Sequence, residues 1–488
     1  MNYAMLRYIM CIIMETEAAL LALPLAVSFL YGDGHAEAFL IPMLILLIPG
    51  TLGVLKKPKN TVIYAREGFI VVSIAWLLLS LVGALPFTIS GSVPYYIDAV
   101  FETVSGFTTT GASILRDVEA MPHSLLFWRS FTHWVGGMGV LVFVMAIIPL
   151  AGGRSLHLMR AESPGPSVGK ITSKVKSTAV TLYGIYILIS ILETVLLALG
   201  GMPLFDALIN TFGSVGTGGF AMYSDSIAHY GNAYFDIVIS VFMLLCGINF
   251  NIFYLILTRQ FSSAFKSEEL RWYLGIVAAA TLVIALNIYH LFGNFLESLR
   301  YSFFQVSSVI TTTGFATADF NAWPELSRSI LVVLMFVGGC AGSTGGGLKI
   351  SRFVILLKSA QRFTRRALHP NAAQLVHFEH RPVDENTVSG VNAYFTLYCL
   401  LHALSILLIS MDGFDFTTTV TAVIACFNNI GPGLGLVGPM GNYADFTGFS
   451  KIVLSLDMLV GRLEIFPMLM LFAPGAWRIK KSIKGGLR

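Results

Sequence analysis

The stretch VSGFTTTGASIL, Val104 to Leu115, runs three threonines into a glycine, and ITTTGFA, Ile310 to Ala316, repeats the pattern. Two further segments occupy equivalent places: LINTFGSVGTGGFA, Leu208 to Ala221, and VIACFNNIGPGLG, Val423 to Gly435. Aligned on one glycine, the quartets are Thr108-Thr109-Thr110-Gly111, Gly216-Thr217-Gly218-Gly219, Thr311-Thr312-Thr313-Gly314 and Asn428-Asn429-Ile430-Gly431. An apolar residue stands four positions before each glycine: Phe107, Val215, Ile310 and Phe427. The aligned glycines lie roughly 100 residues apart, and internal repetition of this kind marks a repeated structural unit. In the fourth segment Gly433 competes with Gly431; the Phe427 spacing favours Gly431.

The chain around these segments is apolar. Of its 488 residues 55% are hydrophobic and 12% charged, with a mean hydropathy of +0.75. Soluble domains carry about 25% charged residues. Runs longer than the ~18 residues that cross a bilayer recur, so the sequence predicts an all-α polytopic membrane protein. Long continuous runs exclude a transmembrane β-barrel, which alternates over short segments. About ten spans are expected, near residues 4–30, 37–55, 68–90, 124–150, 179–199, 232–258, 270–292, 326–357, 390–410 and 449–477. The first run lacks a small-residue cleavage site and reads as a span rather than a signal peptide.

Most of the 31 basic residues fall in one set of loops and ends, which predicts cytoplasmic termini. The net charge of +4 stems from this bias and needs no nucleic-acid partner. Cys11, Cys246, Cys340, Cys399 and Cys426 lie in or beside apolar runs without metal-ligand spacing, and read as small apolar fillers.

Before each quartet stands a candidate short helix with an acid in its first turn: Asp98, Asp206, Glu297 and Asp415. The repeated unit is therefore helix, half-helix, extended glycine-containing segment, helix. Non-helical backbone at membrane depth is tolerated where it is buried or lines a watery cavity. Four such segments around one pseudo-fourfold axis would stack carbonyl oxygens into rings, which replace the hydration shell of a cation. The candidate cation-coordinating residues are Thr109, Thr110, Gly111, Thr217, Gly218, Gly219, Thr312, Thr313, Gly314, Asn429, Ile430 and Gly431. None is charged, which suits a monovalent ion better than Ca²⁺. The competing reading of each loop is a re-entrant turn that only packs helices.

The eighth span is interrupted by Gly338, Gly339, Gly342, Gly345, Gly346 and Gly347, with Ser343 and Thr344 between them. Each glycine costs a helix roughly 1 kcal/mol relative to Ala, so a loop inside the membrane is expected. A phosphate-binding loop is disfavoured because Leu348 precedes Lys349; helix packing through small residues competes. In the last span Arg462 is either a cation in a pore or the partner of Glu464, Asp457 or another acid. Glu15, Glu17 and Glu193 read as interhelical pairing residues, and His133, His290 and His402 as packing residues.

With TTTGAS, GTGGFA, TTTGFAT and NNIGPGLG in order, together with WRSFTHWVGGMGVLVF, GGCAGSTGGGLKISR and GRLEIFP, the chain resembles the Trk/Ktr/HKT potassium transporter superfamily. The two additional leading spans resemble its Trk-type bacterial membrane subunits. The resemblance covers essentially the whole chain. It implies a two-helix extension over residues 1–66 and four M1–pore helix–M2 repeats over 67–153, 154–262, 263–366 and 367–488. It implies uptake of K⁺, with Rb⁺ as a surrogate, across a bacterial cytoplasmic (inner) membrane, and a homodimer in the bilayer. It implies a cytosolic regulatory ring of the TrkA-like, RCK/KTN nucleotide-binding type, so that nucleotide binds the partner and this chain holds no organic cofactor. It places the 338–347 loop below the filter as a gate, and Gly111 goes with potassium preference. Many relatives have glutamine where this chain has His133. Na⁺- or H⁺-coupled symport is the alternative to passive permeation. A membrane hydrolase is disfavoured, since the sequence has no HExxH motif and its Ser/His pairs have no convincing arrangement.

Overall fold

The structure, a computed structural model, describes residues 1–60, 64–147, 175–369 and 374–477. Of the basic loops that set the expected orientation, residues 148–174 and 478–488 lie outside these, as does the expected boundary between the first two repeats.

The chain opens with a pair of apolar helices packed on each other, α1 (Tyr3–Tyr31) and α2 (Ala36–Val54). Asn2 caps α1 through its side chain, and Gly32 ends it in the left-handed conformation. A third span comes next as α3 (Ala65–Gly83) with a short extension α4 (Leu85–Ile89), then α5 (Tyr96–Phe107) and α6 (His123–Ile147). Next come α7 (Val175–Leu199), α8 (Leu204–Val215), α9 (Ala233–Cys246), α10 (Phe250–Leu257) and the short helix α11 (Phe261–Phe265). They are followed by α12 (Glu268–Phe292), α13 (Phe295–Ile310), α14 (Glu325–Phe336) and α15 (Ile350–Leu368). A two-stranded hairpin, β1 (His377–Phe378) with β2 (Arg381–Pro382), precedes α16 (Glu385–Ile409), α17 (Phe416–Phe427), α18 (Gly448–Arg462) and α19 (Phe466–Phe472).

Among the described residues six helices are long and apolar enough to cross a bilayer: Tyr3–Tyr31, Ala36–Val54, Arg66–Ile89, Val180–Leu199, Glu268–Phe292 and Glu385–Asp412. Counting α9 and α10 as one gives a seventh, although they are bent by 93°. Hydropathy alone does not predict this break. Gly247 ends α9, and the Asn249 side chain caps α10 by accepting from Asn251 N–H. The expected eighth and tenth spans are each two shorter helices, α14 with α15 and α18 with α19.

The expected half-helices are α5, α8, α13 and α17. At 12, 12, 16 and 12 residues they are too short to span, since an α-helix rises 1.5 Å per residue. Their C-terminal halves are buried on nearly every side. Three of the acids at their starts are employed: Asp98 pairs with Lys451 on α18 at 2.7 Å, Asp206 accepts from the Tyr230 hydroxyl, and Asp415 caps α17.

Candidate functional site

Each half-helix ends in the same way. In the first, Thr109 N–H donates to the Gly106 carbonyl at 3.1 Å and Thr110 N–H to the Ser105 carbonyl at 2.9 Å. Thr217/Gly218, Thr312/Thr313 and Asn429/Ile430 repeat both bonds onto Ser214/Gly213, Val309/Ser308 and Cys426/Ala425. This is the Schellman cap, whose left-handed position is usually glycine. Here it is held by Thr109 (φ 54), Thr217 (φ 55), Thr312 (φ 59) and Asn429 (φ 57). The extended conformation expected for these threonines is therefore not found at the second residue of the quartet. A β-branched residue in that region is strained by roughly 1–2 kcal/mol, and complete burial of all four residues holds it there.

Threonine hydroxyls stiffen the turn. Thr108 Oγ1 donates to the Val104 carbonyl at 2.6 Å and lies 2.8 Å from Thr110 Oγ1. Thr311 and Thr313 repeat this arrangement against Ser307. The fourth quartet substitutes amide chemistry: Asn428 Nδ2 donates to the Ile424 carbonyl, and Tyr398 donates its hydroxyl to Asn428 Oδ1 at 2.6 Å. Asn429 Nδ2 reaches the first quartet, donating to Thr110 Oγ1 at 3.0 Å.

The quartets form a closed cycle. Gly111, Gly219, Gly314 and Gly431 have φ of 81°, 80°, 89° and 88°, which favours glycine at each. A Cβ on Gly111 would collide with the Gly218 carbonyl oxygen, on Gly219 with that of Thr313, on Gly314 with that of Ile430, and on Gly431 with that of Thr110. Each glycine thus abuts the carbonyl just before the next glycine, and the fourth returns to the first. Gly433 has no positive φ and packs instead against Thr421. All four glycines line one cavity of about 100 Å³.

The loops beyond the glycines are stitched in the same order. Glu119 accepts from Ser224 N–H and its hydroxyl, at 2.8 and 2.7 Å. Ala316 N–H donates to Ser226 Oγ, Asn321 exchanges two bonds with Gly435, and Tyr443 N–H donates to the Ser113 carbonyl. Tyr443 also donates its hydroxyl to the Gly431 carbonyl at 2.7 Å. Two arginines at the cavity are neutralised: Arg116 by Asp445 at 2.5 Å and Arg129 by buried Glu102 at 2.6 Å.

The glycine-rich loop, between α14 and α15, touches the opposite ends of the quartets. Gly346 N–H donates to Thr312 Oγ1 at 2.6 Å. A Cβ on Gly345 would press on the Thr311 carbonyl, and one on Gly346 on Asn429. The break between α9 and α10 receives the loop: Cys340 N–H donates to the Gly247 carbonyl at 2.9 Å, Thr344 N–H to that of Cys246, and Phe250 N–H to that of Gly342. Ser343 donates its hydroxyl to the Cys340 carbonyl. Gly338 and Gly339 close the loop on itself, through the Leu348 carbonyl and Ile350 N–H, and Gly347 packs on Gly338. Arg462 donates to the Thr344 carbonyl at 2.7 Å and to that of Gly136 at 2.8 Å. Glu464 pairs with Arg352 at 2.5 Å and Asp457 accepts from Ser405, so these two acids are engaged elsewhere.

His133, expected to be a packing residue, lies between the first half-helix and the second quartet. Its Nδ1 lies 2.8 Å from the Gly106 carbonyl, its ring covers Gly218, and Gly216 rests on its own carbonyl. One turn on, Gly136 and Gly137 allow Phe107 and Gly216 to approach. The HWVGG stretch on α6 is therefore a rail for two quartets. Of the acids expected to pair between helices, Glu193 accepts from Ser214 on α8 at 2.6 Å.

Four helix C-termini, each with partial negative charge, thus end in turns whose glycines line one cavity. Residues 35–479 match the TrkH family, described as a cation transport protein. The chain is 35% identical over 484 residues to the Trk system potassium uptake protein TrkH of Salmonella typhimurium, covering 98% of this chain and all of that one. It is 34% identical to TrkG of Escherichia coli over 464 residues, 93% of this chain and 94% of that one. The crystal structure of the potassium transporter TrkH from Vibrio parahaemolyticus superposes with a TM-score of 0.88 at 31% identity, covering 98% of this chain and all of that one. The chain belongs to the TrkH family and is a membrane transporter, not an enzyme.

Proposed function

We propose that this chain takes up K⁺ through a channel-like filter made by the four quartets and gated by the glycine loop. The closed cycle of glycines against neighbouring carbonyls carries the reading: ring closure brings oxygens from all four segments around one path, as replacement of a hydration shell requires. The names of the relatives, potassium uptake proteins, supply the ion. The coordinating residues are Thr109, Thr110 and Gly111 with their counterparts in the other three segments. Gly338–Gly347 and Arg462 obstruct the path beneath them. The domain division into a two-helix extension and four pore repeats, pseudo-fourfold and ten-span, belongs to the same reading. So do cytoplasmic termini in a bacterial inner membrane, a homodimer, and control by a cytosolic nucleotide-binding ring, all supported by family membership.

The cavity lining supplies carbonyl, hydroxyl and amide oxygens and two neutralised arginines, which favours passive permeation over symport. Purified protein in liposomes, assayed for K⁺, Rb⁺ and Na⁺ flux, tests the reading: K⁺ and Rb⁺ should pass and Na⁺ should be selected against. A reversal potential that moves with an H⁺ or Na⁺ gradient would replace passive permeation by coupled transport.

A further inference from the structure

The start of α12 makes contacts that selection does not require. The Glu269 carboxylate is 5% exposed and turned into the protein. Its Oε1 accepts from Ala341 N–H at 2.8 Å and from Ser351 N–H at 3.1 Å. Ala341 belongs to the glycine loop. Ser351 is the second residue of α15, where N–H groups have no intrahelical partner and negative charge is favoured. One carboxylate thus holds the loop and the helix that leaves it, through charge-assisted bonds, the strong kind.

The two residues before it face the hairpin. Glu268 pairs with Lys358 of α15 and accepts from Glu379 N–H at 3.1 Å. Glu379, in the β1–β2 turn, accepts in return from the Ser267 hydroxyl at 2.8 Å and Glu269 N–H at 3.0 Å. Three consecutive residues therefore join the hairpin, α15 and the loop.

We infer that Glu269 is the positioning residue that keeps the glycine loop against the quartets, and that Ser267–Glu269 carries displacement of the hairpin or α15 into that loop. This rests on the reading of the loop as a gate. Displacement of the hairpin or of α15 strains the two bonds of Glu269. The Arg462 and Thr312 contacts lie at the far end of the loop, so loss of Glu269 frees its Cys340–Ala341 end first.

The experiment compares wild type, Glu269→Ala, Glu269→Gln and a 341–345 deletion in proteoliposomes lacking any cytosolic partner. It reads Rb⁺ flux, the K⁺/Na⁺ ratio, and labelling of Cys340, which is fully buried, by a water-soluble thiol reagent. Glu269→Ala removes both bonds and should raise flux and Cys340 labelling about ten-fold or more, with the K⁺/Na⁺ ratio unchanged. Glu269→Gln keeps an acceptor oxygen and should rise only a few-fold; it decides the matter if the alanine variant does not assemble. Wild-type flux and labelling in the Glu269 variants, with raised flux in the deletion, would overturn the role of Glu269 and leave the gate standing. Unchanged flux in the deletion as well would overturn the gate with it.

Discussion

Arg462 donates to the Thr344 carbonyl across 2.7 Å, joining residues 118 positions apart. Its other nitrogen holds the Gly136 carbonyl of α6, so the last span pins the glycine loop to the wall that carries the first two quartets. Bonds from a charged donor contribute about 1.5–3 kcal/mol each, and about 1.4 kcal/mol is a factor of ten in an equilibrium. Arg462→Ala should therefore raise Rb⁺ flux through the partner-free protein by about ten-fold or more. Arg462→Lys, which can reach one carbonyl, should fall between. Lower yield with wild-type flux per molecule would mark a purely structural residue.

His133 predicts an effect on selection without an effect on the gate. Replacing it by Ala removes the bond to the Gly106 carbonyl and opens space beside Gly218. Core truncations cost about 2–5 kcal/mol, so yield should drop. The protein that assembles should show a several-fold lower K⁺/Na⁺ permeability ratio, measured by reversal potential. Unchanged selectivity would reduce His133 to packing.

The collar above the quartets gives a pH prediction. Burial pushes the Glu119 carboxyl up, but the Ser224 N–H and hydroxyl outweigh this and hold it at about 2. An unfolded glutamate titrates at about 4.3. A depressed folded value means that Glu119 stabilises the fold above that pH and loses its contribution as pH falls through about 2. Wild type should melt above Glu119→Gln near neutrality, and the difference in Tm should close between about pH 4 and about pH 2. A constant difference would contradict the assignment.

The repeated quartets and the loop were legible in the sequence because glycine is specific. The four aligned glycines and the 338–347 cluster stand out from an apolar background, and each sits at a turn or a close approach. The left-handed conformation of Thr109, Thr217 and Thr312 was not legible. Local propensity points β-branched residues to extended backbone, and only the closed cycle around them overrides it. The α9–α10 bend was signalled by Gly247 and Asn249, but averaging hydropathy over a span hides so short a break. Glu269 and the collar join residues from distant parts of the chain, so no local pattern announces them. Internal repetition put the four segments in correspondence, whereas the contacts of His133 needed the structure.

The fourth quartet is the least similar to the others, and Asn429 spans the seam where the cycle closes. It donates to Thr110 Oγ1 and to the Met458 carbonyl. Asn429→Ala should lower K⁺/Na⁺ selection at least as much as Thr110→Val, because it also frees a buried carbonyl. Two net hydrogen bonds correspond to roughly 1–3 kcal/mol of stability, readable as a lower Tm in detergent.

Selection of K⁺ by one ring is tested most directly by serine at each of the four glycines in turn. Gly111→Ser, Gly219→Ser, Gly314→Ser and Gly431→Ser each drive a side chain into the carbonyl of the neighbouring segment. The measurement is the K⁺/Na⁺ permeability ratio from reversal potentials in proteoliposomes. The cycle predicts that all four variants lose selectivity, with Gly433→Ser, outside it, much less affected. An assembled variant of any of the four with wild-type selectivity would contradict it.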